Sequence, residues 1–190
     1  MPTVSELVDD VAGIMKEPRE SVNAFARALI DDELLPKSRG RAIARVSPIH
    51  VVRLFIAVAL NPKIREAAEV VRRYESLVRG GIPSSFPHMD QVERFGEAAA
   101  RIFENLMTIE EPAERAMWRE CRIEIVETWP EATISLPTSE GDEIVRFREP
   151  NTAGHGWDGY MKRSAVIQGR AFVFLGHSNR RDYFNPDRPS

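Results

Sequence analysis

The chain predicts an α+β fold, and three features carry that expectation. Apolar residues recur at three- and four-residue spacing over most of the first 119 positions, short runs rich in β-branched and aromatic residues follow, and a basic segment between the second and third helical stretches alternates with period two. The expected organisation is an amino-terminal unit over residues 1–80, a helical linker or oligomerisation segment over 81–119, and a small antiparallel β domain with a loose polar tail over 120–190.

A chain of 190 residues, 43% hydrophobic and 29% charged, can bury a sizeable core as one large or two small units, which excludes wholesale disorder and fibrous architectures. Its longest apolar run, VVRLFIAVAL, carries Arg53 and is too short to cross a bilayer, and MPTVSELVDD is acidic rather than basic. Neither export nor membrane insertion is expected. Cys121 stands alone, with no CxxC pair for zinc or redox chemistry, so a reducing cytoplasm is the expected compartment. The net charge of -3 argues against nonspecific coating of nucleic acid, so contact with DNA has to be local.

In VSELVDDVAGIM, Ser5 reads as an N-cap and Leu7, Val8, Val11, Ala12 and Met15 form one stripe of a first helix. Lys16, Glu17 and Pro18 break it. RESVNAFARALIDDELL then places Val22, Phe25, Ala26, Leu29 and Ile30 on one face of a second, with Arg19, Glu20, Asn23 and Arg27 toward solvent. Next comes LLPKSRGRAIARVSP, which gathers four basic residues, Lys37, Arg39, Arg41 and Arg45, with no carboxylate among them. Leu34–Leu35–Pro36 reads as the start of a strand, Gly40 as a tight turn, and RAIARVS as the returning strand of a hairpin. Ser47–Pro48 starts a third helix running to about Leu60, and Asn61–Pro62 repeats the signal for a fourth that carries Val78 inward and stops at Gly80 and Gly81. A fifth helix is expected from Val92, Phe95, Ala99, Ile102, Phe103 and Leu106, of which Phe95, Ile102, Phe103 and Leu106 admit either a dimer seam or an intramolecular core.

Five β-rich segments follow: CRIEIVET, ATISLP, EIVRFRE, YMKRSAVI and RAFVFLG. SAVIQGRAFVF is the best hairpin among them, with Gln168 and Gly169 as its loop.

Helix, turn, helix, basic hairpin and capped helix is the order of a winged helix-turn-helix, in which the second helix enters the major groove and the hairpin lies along the neighbouring backbone. On that reading Arg19, Asn23 and Arg27, types that read guanine and adenine edges, face the bases, and Lys37, Arg39, Arg41 and Arg45 hold phosphates. Asp31, Asp32 and Glu33 would repel DNA unless they face away.

ALIDDELLPKSRGRAIARVSPIHVVRLFIAVAL resembles the core of MerR-type winged helices, where a GLL-P end of the recognition helix precedes an arginine-bearing wing and a helix with an RL-FI pattern. Glu33 stands where that family usually has glycine, and the wing lacks its tyrosine. The first 80 residues also resemble proteins of alphaproteobacterial genomes and their prophages. These resemblances imply duplex DNA binding in transcription regulation or a phage-related DNA-handling role, and, by analogy with other winged proteins, a homodimer.

Catalysis is not expected, and neither is a cofactor or metal: the four histidines, His50, His88, His155 and His177, fall in no ligand spacing, and no GxSxG, HExxH or P-loop is present. The one constellation an enzyme could use is His155, Asp158 and His177; Cys121 reads as core. On the DNA reading the β domain mediates oligomerisation or binds a protein or small ligand; the competing class is a protein-interaction or assembly module of the phage packaging type, whose basic turn meets an acidic partner.

Overall fold

Thr3 opens the first helix, not Ser5. Its hydroxyl accepts from the Glu6 amide at 3.2 Å while the Glu6 carboxylate accepts from the Thr3 amide at 2.7 Å, the reciprocal box that satisfies two orphan donors at once. A computed structural model describes residues 2–38, 44–85, 87–152 and 161–174. In order they form α1 (Val4–Met15), α2 (Arg19–Asp31), α3 (Pro48–Leu60), a 3-10 turn at Ile64–Glu66, α4 (Ala67–Glu75), β1 (Val78–Arg79), a 3-10 turn at Met89–Gln91, α5 (Phe95–Thr108), α6 (Pro112–Arg119), β2 (Arg122–Val126), β3 (Glu131–Thr138), β4 (Gly141–Arg148), β5 (Ser164–Gln168) and α7 (Gly169–Phe174). The α+β class is therefore as expected, with an antiparallel sheet in the order β1-β4-β3-β2-β5.

The register sets the sheet's two faces. Ile123 opposes Ile134 and Ile167, and Ala132 opposes Ile125 and Phe147, so all of these project to one side. They are buried there in one hydrophobic cluster with residues of α1 to α5, among them Leu7, Leu29, Phe55, Val71 and Phe103. The cluster is continuous from Leu7 to Ile167 and so crosses residues 80 and 119. Phe95, Ile102, Phe103 and Leu106 are buried within it, which places them in the core rather than in a seam.

Three elements depart from the sequence expectation. Asn61 does not start a helix: it ends α3 in the left-handed conformation, its amide bonded to the Ala57 carbonyl, and α4 begins at Ala67 and is over by Glu75. Val78 is buried, but as a strand residue opposite Arg148, so Gly80 and Gly81 end a strand. RAFVF is helical in α7, not the second arm of a hairpin. A continuous apolar run carries no period-two signal to hold it as a strand, and α7 packs against α5 and α6 instead. Gly169 lets the start of α7 lie against the end of α6, since a Cβ there would lie 2.2 Å from the Trp118 carbonyl oxygen. The helix α6 falls in the expected helical segment 81–119, though no start was read for it; Pro112 opens it and Glu111 caps it.

Arg53 links several of these parts. It grips Glu75 through Nε at 2.7 Å and Nη2 at 3.3 Å, and its Nη1 donates to the Leu34 carbonyl at 3.0 Å, in a half-buried setting. Arg53→Met is expected to lower the unfolding free energy by about 2–3 kcal/mol, because it strands a carboxylate and a carbonyl in partial burial. Urea denaturation checks this, and Arg53→Met combined with Glu75→Met should recover part of the loss.

Candidate nucleic-acid interface

The turn between α1 and α2 is short because Lys16 takes the left-handed conformation, with φ 59°, and the Glu17 amide reaches back to the Ala12 carbonyl. Pro18 then precedes α2. Along α2, Val22, Phe25, Ala26 and Leu29 are buried, which turns Arg27 outward and leaves Asn23 partly covered. Arg19 is exposed but committed: its Nε donates to Asp9 and its Nη2 lies 3.3 Å from Ser5 Oγ, so it pins the start of α2 to α1. The three base-reading candidates therefore separate into one tether, Arg19, and a pair one turn apart, Asn23 and Arg27.

The end of α2 is a full Schellman closure. The Leu34 amide bonds to the Leu29 carbonyl at 2.8 Å and the Glu33 amide to the Ile30 carbonyl at 3.1 Å, with Glu33 left-handed at φ 61° and Leu29 and Leu34 both buried. Glycine suits that position best, which gives the GLL-P pattern its physical reason. Asp32 is drawn toward α4, where Arg72 Nη2 donates to its carbonyl at 2.8 Å and to its carboxylate at 3.1 Å. Arg73 reaches Glu149 at 2.7 Å. These two arginines thus bridge to other elements instead of pairing along their own helix face.

Leu34 and Leu35 are buried and residues 34–38 form no strand, so the first arm of the expected hairpin is a packed loop. On the returning side, Arg45 bridges to Thr3 and the Val46 amide bonds to the Pro2 carbonyl. The described ends meet once, where the Ala44 amide donates to Ser38 Oγ at 3.1 Å. Arg39 and Arg41 lie outside the described residues, as do His155, Asp158 and His177. Lys37 is exposed at the mouth of the segment.

The loop closes onto α3 through His50, whose Nδ1 lies 2.9 Å from both the amide nitrogen and the hydroxyl of Ser47. Burial first, and the neighbouring Arg53 charge second, push the His50 imidazole down to about 4, so it is neutral at pH 7 and accepts from the Ser47 amide. Cys121 is fully buried and its thiol is pushed up to about 12 by burial, which leaves it a core residue. Among the described residues no cluster of three or more His, Cys, Asp or Glu is placed to hold a metal ion, and no helix is long and apolar enough to cross a membrane.

The signal that sequence reading missed is one of pairing. Arg53, Arg65, Arg72, Arg73, Arg79, Arg101, Arg122, Arg148, Lys162, Arg163 and Arg170 each meet a carboxylate. Arg27, Lys37 and Lys16 make no ion pair among the described residues, and neither do Arg94, Arg115 and Arg119 elsewhere on the chain. Lys16 had no role in the sequence reading because it falls at a helix break. Comparison of the chain with protein-family models, curated protein sequences and solved structures returned no match.

Glu33→Gly is expected to raise the unfolding free energy by roughly 0.5–1 kcal/mol, the relief of a left-handed non-glycine residue less the entropy that glycine adds to the unfolded chain; thermal and urea melts check it. His50 generates a second expectation. Its folded value lies below the ordinary 6.5, so the unfolded chain takes up the proton first, and stability present above pH 6.5 is lost progressively toward pH 4, by on the order of 1–3 kcal/mol. His50→Gln keeps an acceptor for the Ser47 amide without titrating in that window, and stability curves at several pH values should show the dependence shrink.

Proposed function

We propose that this chain binds duplex DNA without catalysing a reaction, with α1, α2 and the basic segment 34–48 acting as a winged helix-turn-helix. Asn23 and Arg27 meet base edges in the major groove, while Lys37, Arg39, Arg41 and Arg45 meet phosphates on the flank. Arg19 serves as the tether that sets the angle of α2, and Lys16 extends the cationic rim. The role fits a transcription regulator or a phage-related DNA-handling factor equally.

The observation that carries this reading is the pattern of unpaired charge. In a chain of net charge -3 most arginines of the remaining surface are paired with neighbouring carboxylates, exposed Arg94 and Arg119 excepted, whereas exposed Arg27 and Lys37 lie together near the basic segment and make no ion pair among the described residues. A phosphate supplies what such a side chain lacks, and the counterions it displaces supply the driving force. The carboxylates next to the site weigh against this, yet Asp32 is held by Arg72 and Asp9 by Arg19, which leaves Glu17, Glu20, Asp31 and Glu33 as exposed acidic neighbours.

Fluorescence anisotropy with a labelled duplex across a salt series tests the reading. Four phosphate contacts give a slope of log K against log salt near roughly -3.6, at about 0.9 per contact. Arg39→Ala combined with Arg41→Ala should flatten it by about 1.8, and Arg27→Ala, if the residue contacts a base, should cost about 1–3 kcal/mol on a preferred sequence and little on a random one. Absence of binding at low salt, or slopes indifferent to these substitutions, sinks the DNA reading in favour of an acidic protein partner.

A further inference from the structure

A cleft of about 600 Å³ separates the second half of α1 from the outer edge of β5, with Asp10, Gly13 and Ile14 on one side and Val166 and Ile167 on the other. The Gly169 amide bonds to the Cys121 carbonyl at 2.6 Å and the Glu127 amide to the Arg163 carbonyl at 2.8 Å, so residues 163, 165, 167 and 169 direct their backbone groups to β2. Ser164, Val166 and Gln168 therefore aim theirs outward from the last strand of the sheet. Charge, proline or a bulge normally blunts such an edge. Ser-Ala-Val-Ile-Gln has none of these, and Val166 is 55% exposed. The flanking cations do not guard it either: Lys162 is held by Glu124 at 2.8 Å, Arg163 by Glu127 at 3.9 Å and Arg170 by Glu120 at 3.6 Å.

A glycine inside α1 points to the same place. Gly80, Gly81 and Gly141 have positive φ, and a Cβ at Gly96 or Gly169 would collide with a neighbouring segment. Among the described glycines Gly13 alone has neither reason: it lies exposed on the cleft side of α1, with nothing within 4 Å of where a Cβ would stand. Glycine weakens a helix interior, so its presence there fits a second backbone that comes close.

Both elements are self-complementary about these residues. Two β5 strands set antiparallel about Val166 place Ser164 opposite the partner's Gln168, hydroxyl against amide, and Val166 opposite its own counterpart, all through the outward backbone groups. Lys162 then stands opposite the partner's Arg170, each already neutralised by its own carboxylate. An α1 helix that crosses its counterpart antiparallel at Gly13 sets Lys16, three residues after it, against the partner's Asp10, three residues before it. Lys16 makes no ion pair among the described residues. Gly13 and Val166 line one cleft, so a single two-fold axis serves both. An unrelated peptide accounts for the open edge, but not for a glycine flanked at equal distance by an acid and a base.

We propose that the chain forms a two-fold dimer in which β5 pairs with β5 of a second copy, joining two five-stranded sheets into one, and α1 crosses its counterpart at Gly13. Lys16 faces the partner's Asp10 in that arrangement, and the phosphate contacts proposed above, Lys37, Arg39, Arg41 and Arg45, take no part in it. The dimer is measured without DNA, so either reading can fail alone.

Sedimentation equilibrium of the full chain over a concentration series tests this. A reversible dimer is expected, weakened at least about tenfold by Val166→Lys, which sets two lysines face to face, with the circular dichroism of the chain unchanged. Gly13→Leu should weaken it similarly while raising the melting temperature of the monomer, because leucine improves the helix and meets nothing there in its own chain. Cysteine substitution reads the register, and buried Cys121 does not compete. Val166→Cys should cross-link two copies on mild oxidation, since directly opposite residues of a hydrogen-bonded pair lie about 5.5 Å apart, whereas Ser164→Cys, opposite Gln168, should not. A monomer at every concentration overturns the proposal and leaves the edge to a different protein. A dimer indifferent to Val166→Lys and Gly13→Leu, or cross-linked equally from both positions, overturns this interface.

Discussion

One arginine inside an apolar helix constrains much of this structure. In α3, Val51, Val52, Leu54, Phe55, Ile56, Ala57 and Val58 are all buried, and Arg53 sits among them. A guanidinium in that setting has to find acceptors, or the helix cannot occupy the middle of the core. It finds the Glu75 carboxylate at the end of α4 and the Leu34 carbonyl just past the end of α2. Gly96 adds a further limit, since a Cβ there would lie 2.9 Å from the Glu75 Cβ, so α5 can cross only where glycine lets it. Four segments are thus located by one cation and its acceptors.

The sheet is held to this helical body by apolar contact and by one polar anchor. Phe95 of α5 meets Phe147 of β4 with ring centres 5.7 Å apart and planes tilted by 57°. The Tyr74 hydroxyl donates to the Val126 carbonyl at the end of β2, and burial pushes that phenol up to about 12, so it remains a donor across the physiological range. Within the sheet, Arg148 and Glu131 face each other across β4 and β3 at 2.6 Å with little exposure, a pair satisfied by its own register. With internal charges matched in this way, unpaired cations become informative. A surface ion pair contributes little stability, but it removes charge from the local field, and at physiological salt that field extends only about 8 Å. A local positive surface on an acidic chain is therefore physically consistent.

Helical stretches with clean periodicity were legible in the sequence, because Val22, Phe25, Ala26 and Leu29, or Ile102, Phe103 and Leu106, leave only one face to bury. The Ser47–Pro48 start was legible from local chemistry. What failed depended on partners distant in sequence. Val78 is a strand residue only because Arg148, seventy positions on, offers an edge, and RAFVF is helical only because α5 and α6 await it. Of the candidate site, residue types could be read but not their commitments: nothing local to Arg19 announces Asp9, and nothing local to Asp32 announces Arg72. Glu33 was the most instructive position, since a departure from a familiar pattern coincided with a left-handed residue.

The helix α1 serves both the start of α2 and the cleft beside β5. Asp9 and Ser5 hold Arg19 and so set the start of α2, while Ile14, Met15 and Lys16, less than two turns further on, wall the cleft beside β5. Lys16 belongs to both places, as the left-handed residue that closes α1 and as the cation at the rim. The turn of Lys16, Glu17 and Pro18 fixes the angle between α1 and α2, so what holds the end of α1 also holds the start of α2. A short closed turn holds that angle better than a long linker would, and here three residues separate the helices.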